Sequence, residues 1–109
     1  MRRFKTLKRQ ADFARLRRQG RRISTRNLVL YRSDPLAGDD RTLVGITVSK
    51  TIGKAVTRNK LRRRLAAIVH DALAQGGRMR LLLVPRPVAA QARFAELRAE
   101  VGAALKGAA

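Results

Sequence analysis

Cysteine and tryptophan are both absent from this 109-residue chain, and acids are scarce, with seven Asp and Glu against 26 Lys and Arg. Without Cys there is no disulfide, no thiol nucleophile and no Cys-ligated zinc. The one histidine, His70, is followed by Asp71, but neighbours on a helix diverge by about 100°, so the two form no facing catalytic pair. The only adjacent acids, Asp39 and Asp40, fall in a stretch of loop composition, whereas a two-metal nuclease needs several converging carboxylates. Glycine-rich nucleotide-binding patterns are missing as well. The apolar run at 81–84 is strand-sized, and nothing approaches the length that spans a bilayer. The residues therefore give neither a catalytic set nor a metal-ligating set, and no membrane partner is expected.

What the chain does have is positive charge, +19 at neutral pH with a pI near 12.0. Apolar residues make up 45%, enough for one small core, so a single domain over residues 1–109 is expected. The charge is unevenly placed. Residues 1–26 carry eleven basic groups against one acid, and residues 50–64 carry seven with none. A solubilising surface would mix the signs, so this partition points to a polyanionic partner, most simply nucleic acid. The Arg-rich start also has the composition of an organellar transit peptide, though it lacks the apolar segment of a secretory signal.

Periodicity yields an αββαβα order. Residues 12–19 suit a short helix with Phe13 and Leu16 on one side and Gly20 as its stop. Residues 28–32 alternate as a strand, and 33–42, with Asp34-Pro35 and Gly38, read as a loop. A second strand is expected over 43–49, with Val44, Ile46 and Val48 on one face. Its other face, Gly45, Thr47 and Ser49, is small and polar, suited to close approach by a ligand. Leu61, Leu65, Ile68, Val69, Ala72 and Leu73 then form a helical stripe, stopped by glycines at 76–77. The run at 81–84 reads as a buried strand ended by Pro85 and Pro87, and a last helix over 89–105 turns Phe94, Leu97, Val101 and Leu105 inward. The fold class is α+β: a two-layer sandwich of a small central sheet and helices, with a βαβ crossover.

The first two turns of the central helix hold Arg58, Lys60, Arg62, Arg63 and Arg64. Cations at a helix N-terminus oppose its dipole by a few tenths of a kcal/mol each, on the order of magnitude set for exposed sites, and Arg58 and Arg62 repel at i, i+4 spacing. A phosphate backbone would reverse the sign of each of these terms. Of the aromatic residues, Phe94 suits the core, whereas Phe13 and Tyr31 suit either packing or stacking on unpaired bases. On residue chemistry the chain binds nucleic acid and does not cut it.

The segment VSKTIGKAVTRNKLRRR at 48–64 resembles the signature of the bacterial ribonuclease P protein family. LKRQADFARLRRQG (7–20) is similar to that family's first helix, NLVLY (27–31) to its first strand, and LLLVPRP (81–87) to its last strand and exit. The resemblance implies a left-handed βαβ crossover, an exception to the usual rule. It also implies contact of Arg58, Asn59, Lys60, Arg62 and Arg63 with the ribonuclease P RNA. Phe13, Tyr31, Ser49, Lys50 and Arg86 would line a cleft for the single-stranded 5′ leader of precursor tRNA. Arg17 stands where the family often has a second aromatic, which implies a cleft more dependent on charge. Ala66 replaces the motif's last Arg, and Lys54 a frequent Asn. Hydrolysis would belong to the RNA and its Mg²⁺, with the protein a cytoplasmic, monomeric subunit of the holoenzyme. A small ribosomal protein or a nucleoid DNA-binding protein shares the size and charge.

Overall fold

The structure, a computed structural model, describes residues 3–74 and 77–106. Its strands β1 (Lys5–Thr6), β2 (Arg21–Ser24), β3 (Leu28–Ser33), β4 (Leu43–Ile46) and β5 (Arg80–Pro85) form one mixed sheet in the order β1-β4-β5-β3-β2. Helices α1 (Gln10–Gln19), α2 (Ala55–Ala72) and α3 (Phe94–Lys106) accompany it, with 3₁₀ turns at Lys50–Ile52 and Pro87–Gln91. β4 runs parallel to both β1 and β5, and β3 runs antiparallel to β5 and β2. α2 makes the crossover between the adjacent parallel strands β4 and β5, as the βαβ reading expects.

Strand alternation divides the apolar residues between the two faces of the sheet. Leu28, Leu30, Val44, Leu81 and Leu83 turn toward α2 and α3, where they pack with Leu61, Leu65, Ile68, Val69, Leu97 and Val101, all buried. The opposite face carries Leu43 and Leu82, which join Leu7 and Leu16 in a second cluster under α1. The α+β class stands, but helices lie on both faces of the sheet, so α1 adds a third layer to the two that the sequence suggests. The cause is that α1 buries only Leu16 fully, a stripe too narrow to reveal which layer it joins.

Other departures are local. β1 and β2 were not anticipated, because Lys5, Arg21 and Arg22 disguise edge strands as charge runs. β4 ends at Ile46 rather than at 49, although Thr47 N–H still donates to the Leu83 carbonyl at 3.0 Å. The last helix starts at Phe94, not 89: a 3₁₀ turn follows Pro87, and Ala92 is extended (φ −73°, ψ 147°). Phe94 is consequently the helix's first residue, 40% exposed, and not part of the core. Ala104 takes the buried position at the far end, and Leu105 packs at the core's edge. At the end of α2, Leu73 N–H bonds the Val69 carbonyl at 2.9 Å and Gly77 is exposed, while Gly76 lies outside the described residues.

Candidate nucleic-acid interface

The basic helix begins at a glycine that the backbone requires. Gly53 has φ 148°, in the region L side chains rarely adopt, and Lys54 follows as an extended N-cap with no side-chain cap. The first turn of α2 contains no acid. By contrast, α1 has Asp12 in its first turn and Arg17 and Arg18 in its last, aligned with its dipole. α1 is thus aligned with its dipole, whereas α2 has Lys54 as its N-cap and Arg58 in its first turn. Because α2 begins at Ala55, Arg63 and Arg64 lie past its second turn, not in the first two turns as the sequence suggests, and the dipole bears on Arg58 alone of the five. Its apolar stripe is buried as the periodicity requires, which leaves Asn59, Lys60, Arg62 and Arg63 exposed and Arg58 and Arg64 half-buried. Arg58 Nε donates to the Gly53 carbonyl (3.2 Å) and Arg62 Nη1 to Asn59 Oδ1 (3.0 Å). Among the described residues the ion pairs involve Asp12, Asp39 and Asp40, so the α2 cations have no carboxylate partner.

The second group lies on the α1 face of the sheet. Gly45, Leu82, Tyr31 and Arg22 are side by side across β4, β5, β3 and β2. The next row holds Val84, Val29 and Ser24, with Thr47 just past β4. Tyr31, Val29, Val84 and Thr47 are half-buried, whereas the opposite face is sealed, so this face is open beyond α1. Phe13 reaches it from α1 and packs, with Tyr31, against the second cluster. Arg86, two residues past Val84, donates through its backbone N–H to the Asn27 carbonyl at 2.8 Å and through Nη2 to Ser24 Oγ. Ser49 and Lys50 are exposed where the chain leaves β4, and Ser49 Oγ shares a 2.6 Å hydrogen bond with Thr51 Oγ1. The 3₁₀ turns at Lys50–Ile52 and Pro87–Gln91 touch, which brings Ser49, Lys50 and Arg86 to one end of the sheet. Arg17 is exposed on α1, one turn beyond Phe13.

On the small face of β4 the close approach at Gly45 is made by Phe13: Gly45 is buried, and a Cβ placed on it would lie 2.7 Å from Phe13 Cε1, whereas Thr47 is half-buried and Ser49 exposed. His70 is half-buried, its Nδ1 accepting from Arg3 N–H at 3.0 Å and its carbonyl from the Arg3 guanidinium at 2.9 Å, so it ties the N-terminal segment to α2.

Sequence reasoning missed the arrangement that seats α1. Arg80 is 4% exposed; its Nη1 donates to Asp12 Oδ1 and its Nη2 to Asp39 Oδ2, each at 3.2 Å. Arg41 binds the same Asp39 through Nε and Nη2, both at 2.8 Å. The hydrogen bonds from Arg41, with the nearby Arg80 charge, hold the Asp39 carboxyl well below the usual carboxylate range. Asp39 and Asp40, two of the acids of the expected loop, are therefore committed to guanidinium groups, Asp40 to that of Arg78. A basic residue directly before an apolar strand was the one available signal, and it is indistinguishable from an exposed strand end.

The family model for ribonuclease P matches residues 1–109. A ribonuclease P protein component from Acidothermus cellulolyticus is 41% identical over 95 residues, covering 86% of this chain and 79% of that relative. One from an Arthrobacter species is 38% identical over 101 residues, covering 92% and 74%. Among solved structures, the Staphylococcus aureus RNase P protein superposes with a TM-score of 0.83 at 26% identity, covering 94% of each chain. The RNase P protein from Thermotoga maritima shares the fold at 23% identity, with a TM-score of 0.82 and coverage of 96% and 98%.

Proposed function

The chain belongs to the ribonuclease P protein family, whose role is in tRNA 5′ maturation as part of an endoribonuclease complex, and we propose that it does so as a monomeric, single-domain RNA-binding subunit that does not itself catalyse. In this proposal it acts in the cytoplasm, as the family resemblance implies. The observation that carries the reading is the exposed group Asn59, Lys60, Arg62 and Arg63, with Arg58 in the first turn of α2, whose cations have no carboxylate partner among the described residues.

In this reading α2 binds the ribonuclease P RNA through phosphates, and the open α1 face takes the unpaired leader of precursor tRNA. Phe13 and Tyr31 supply ring faces for bases there, Ser49, Lys50 and Arg86 hold the backbone at one end of the sheet, and Arg17 adds charge at α1. The chain's cations lower the repulsion between two polyanions, which is the physical basis for tighter substrate binding. Mg²⁺ is assigned to the RNA: Asp12 and Asp39 are engaged by Arg80 and Arg41, and the described residues offer no group of three carboxylate or imidazole donors to hold it. The crossover through α2 is taken to be left-handed.

The test is reconstitution. The protein is mixed with a bacterial ribonuclease P RNA and precursor tRNA at low magnesium, and cleavage at the 5′ end is followed. Protein-dependent stimulation of the correct cut, with none by protein alone, is the expected result. A folded protein that gives no stimulation with its cognate RNA would return the reading to a purely structural RNA binder.

A further inference from the structure

A recess of about 230 Å³ opens at the outer edge of β4, between α1 and α2. β1 covers only Leu43 and Val44 of that edge, so the strand beyond is unroofed. Phe4 and Thr6 of the N-terminal segment, Phe13 of α1 and Gly45 form much of the lining, and Arg62 and Arg63 enter from α2. No acid lines it. The neighbouring basic recesses differ in this respect: the one beside Lys5, Lys8 and Arg9 includes Asp12, and the one beside Arg3 and Arg78 includes Asp40.

Two aromatic rings, a mostly apolar lining and two guanidinium groups make a combination suited to a flat ring that carries an anion. Its size lies below the range of about 300–1,000 Å³ typical of drug-sized ligands and admits a single ring system. We propose that this recess holds one unpaired RNA nucleotide, its base against Phe13 and its phosphate at Arg62 and Arg63. The inference rests on the RNA-binding reading above and adds a site away from the open sheet face, one that joins the two groups of residues. Gly45 gives it depth, because the absent Cβ lets Phe13 lie close against the strand. The nucleotide comes either from the leader or from an unpaired position of the ribonuclease P RNA, since both present the same chemistry.

The experiment narrows the recess while leaving Phe13, Arg62 and Arg63 in place, with Thr6→Leu on the exposed edge strand and Ile46→Phe as an independent second variant. Thermal melts identify which variants fold. Assembled holoenzyme is titrated with precursor tRNAs that carry one abasic nucleotide at successive leader positions, and each protein is also titrated with ribonuclease P RNA alone. For a leader nucleotide, one abasic position weakens binding to wild type by about tenfold, within the range for loss of one stacked base. The narrowed variants then show a similar loss with intact leader and no further loss at that position. For a ribozyme nucleotide, no leader position stands out and the variants bind the RNA alone about tenfold more weakly. If folded variants change neither affinity by more than twofold, the pocket is overturned. Stimulation of cleavage by the wild-type protein would still stand in that case, so the pocket and the function fail separately.

Discussion

Phe13 lies so close to Gly45 that any side chain at that position would displace the ring: a Cβ on Gly45 would sit 2.7 Å from Phe13 Cε1, 3.1 Å from Cζ and 3.3 Å from Leu7 Cβ. The contact brings an aromatic of α1 onto β4 and fixes the height of the helix above the sheet. It links packing directly to the proposed RNA surface, because the same ring lines the recess beside Arg62 and Arg63.

Gly45→Ala should therefore act twice. Forcing a methyl against the ring is an overpacking change worth about 1–3 kcal/mol of stability, measurable by denaturant unfolding. Phe13 must also shift, so affinity for single-stranded leader RNA should fall along with stability. Phe13→Ala combined with Gly45→Ala should recover part of the stability and none of the affinity. If Gly45→Ala is neutral in both assays, the close contact does not determine the surface.

Arg62→Ala with Arg63→Ala removes two exposed cations from α2, neither paired with an acid among the described residues. Stability should change little, since both side chains are exposed and lie beyond the first turn of α2, out of reach of its N-terminal dipole. The slope of log affinity against log salt for RNA binding should flatten by about two. Filter-binding titrations across a salt series measure it, and an unchanged slope would remove these residues from the phosphate contacts.

Arg80 predicts an asymmetry. Its side chain is 5% exposed, against 18% for Asp12 and 28% for Asp39. Replacing both acids by Ala strands a buried guanidinium and should cost about 3 kcal/mol or more. Arg80→Met leaves two carboxylates that water can reach and should cost clearly less. Chemical denaturation of the two variants side by side decides the point, and equal losses would mean that the ion pairs contribute little to seating α1.

Glu100 on α3 ties the β2–β3 turn to the core. Burial works to raise its carboxyl, but hydrogen bonds from the Thr25 hydroxyl and from the Asn27 backbone and side chain, with the Arg26 charge, bring it below its ordinary value of 4.5. A depressed carboxyl stabilises the fold above its unfolded value, and that contribution is lost as pH falls from 4.5 through the folded value. Glu100→Ala leaves the buried Asn27 donors unpaired, at a cost of about 1–3 kcal/mol at neutral pH. Melting temperatures from neutral to acid should converge between wild type and Glu100→Ala below 4.5; a constant gap would exclude the carboxylate as the origin.

The family motif at 48–64, the burial of the α2 stripe and the exposure of Asn59, Lys60, Arg62 and Arg63 were legible in the chain, because helical periodicity separates an apolar stripe from a charged face with local information only. β3 was legible through alternation and β5 through its short apolar run, although β5 continues through Pro85, which pairs with Leu28, where the sequence suggests a stop. Phe94 was misplaced because spacing alone does not show where a helix begins relative to the core it crosses. β1 and β2 escaped because edge strands carry charge and need only a neighbour's hydrogen bonds.

By itself, then, the sequence determined the sign and partition of the charge, the exclusion of thiol chemistry, the helices and central strands, and the family. Those follow from composition and from contacts within a few residues. Only the tertiary structure decided that β4 lies between β1 and β5, that Phe13 settles on Gly45, that Arg80 gathers Asp12 and Asp39, and that the N-terminal segment and α2 enclose one recess. Each of these joins residues far apart in the chain, and such pairings are set by strand register and layer packing, which local patterns do not encode.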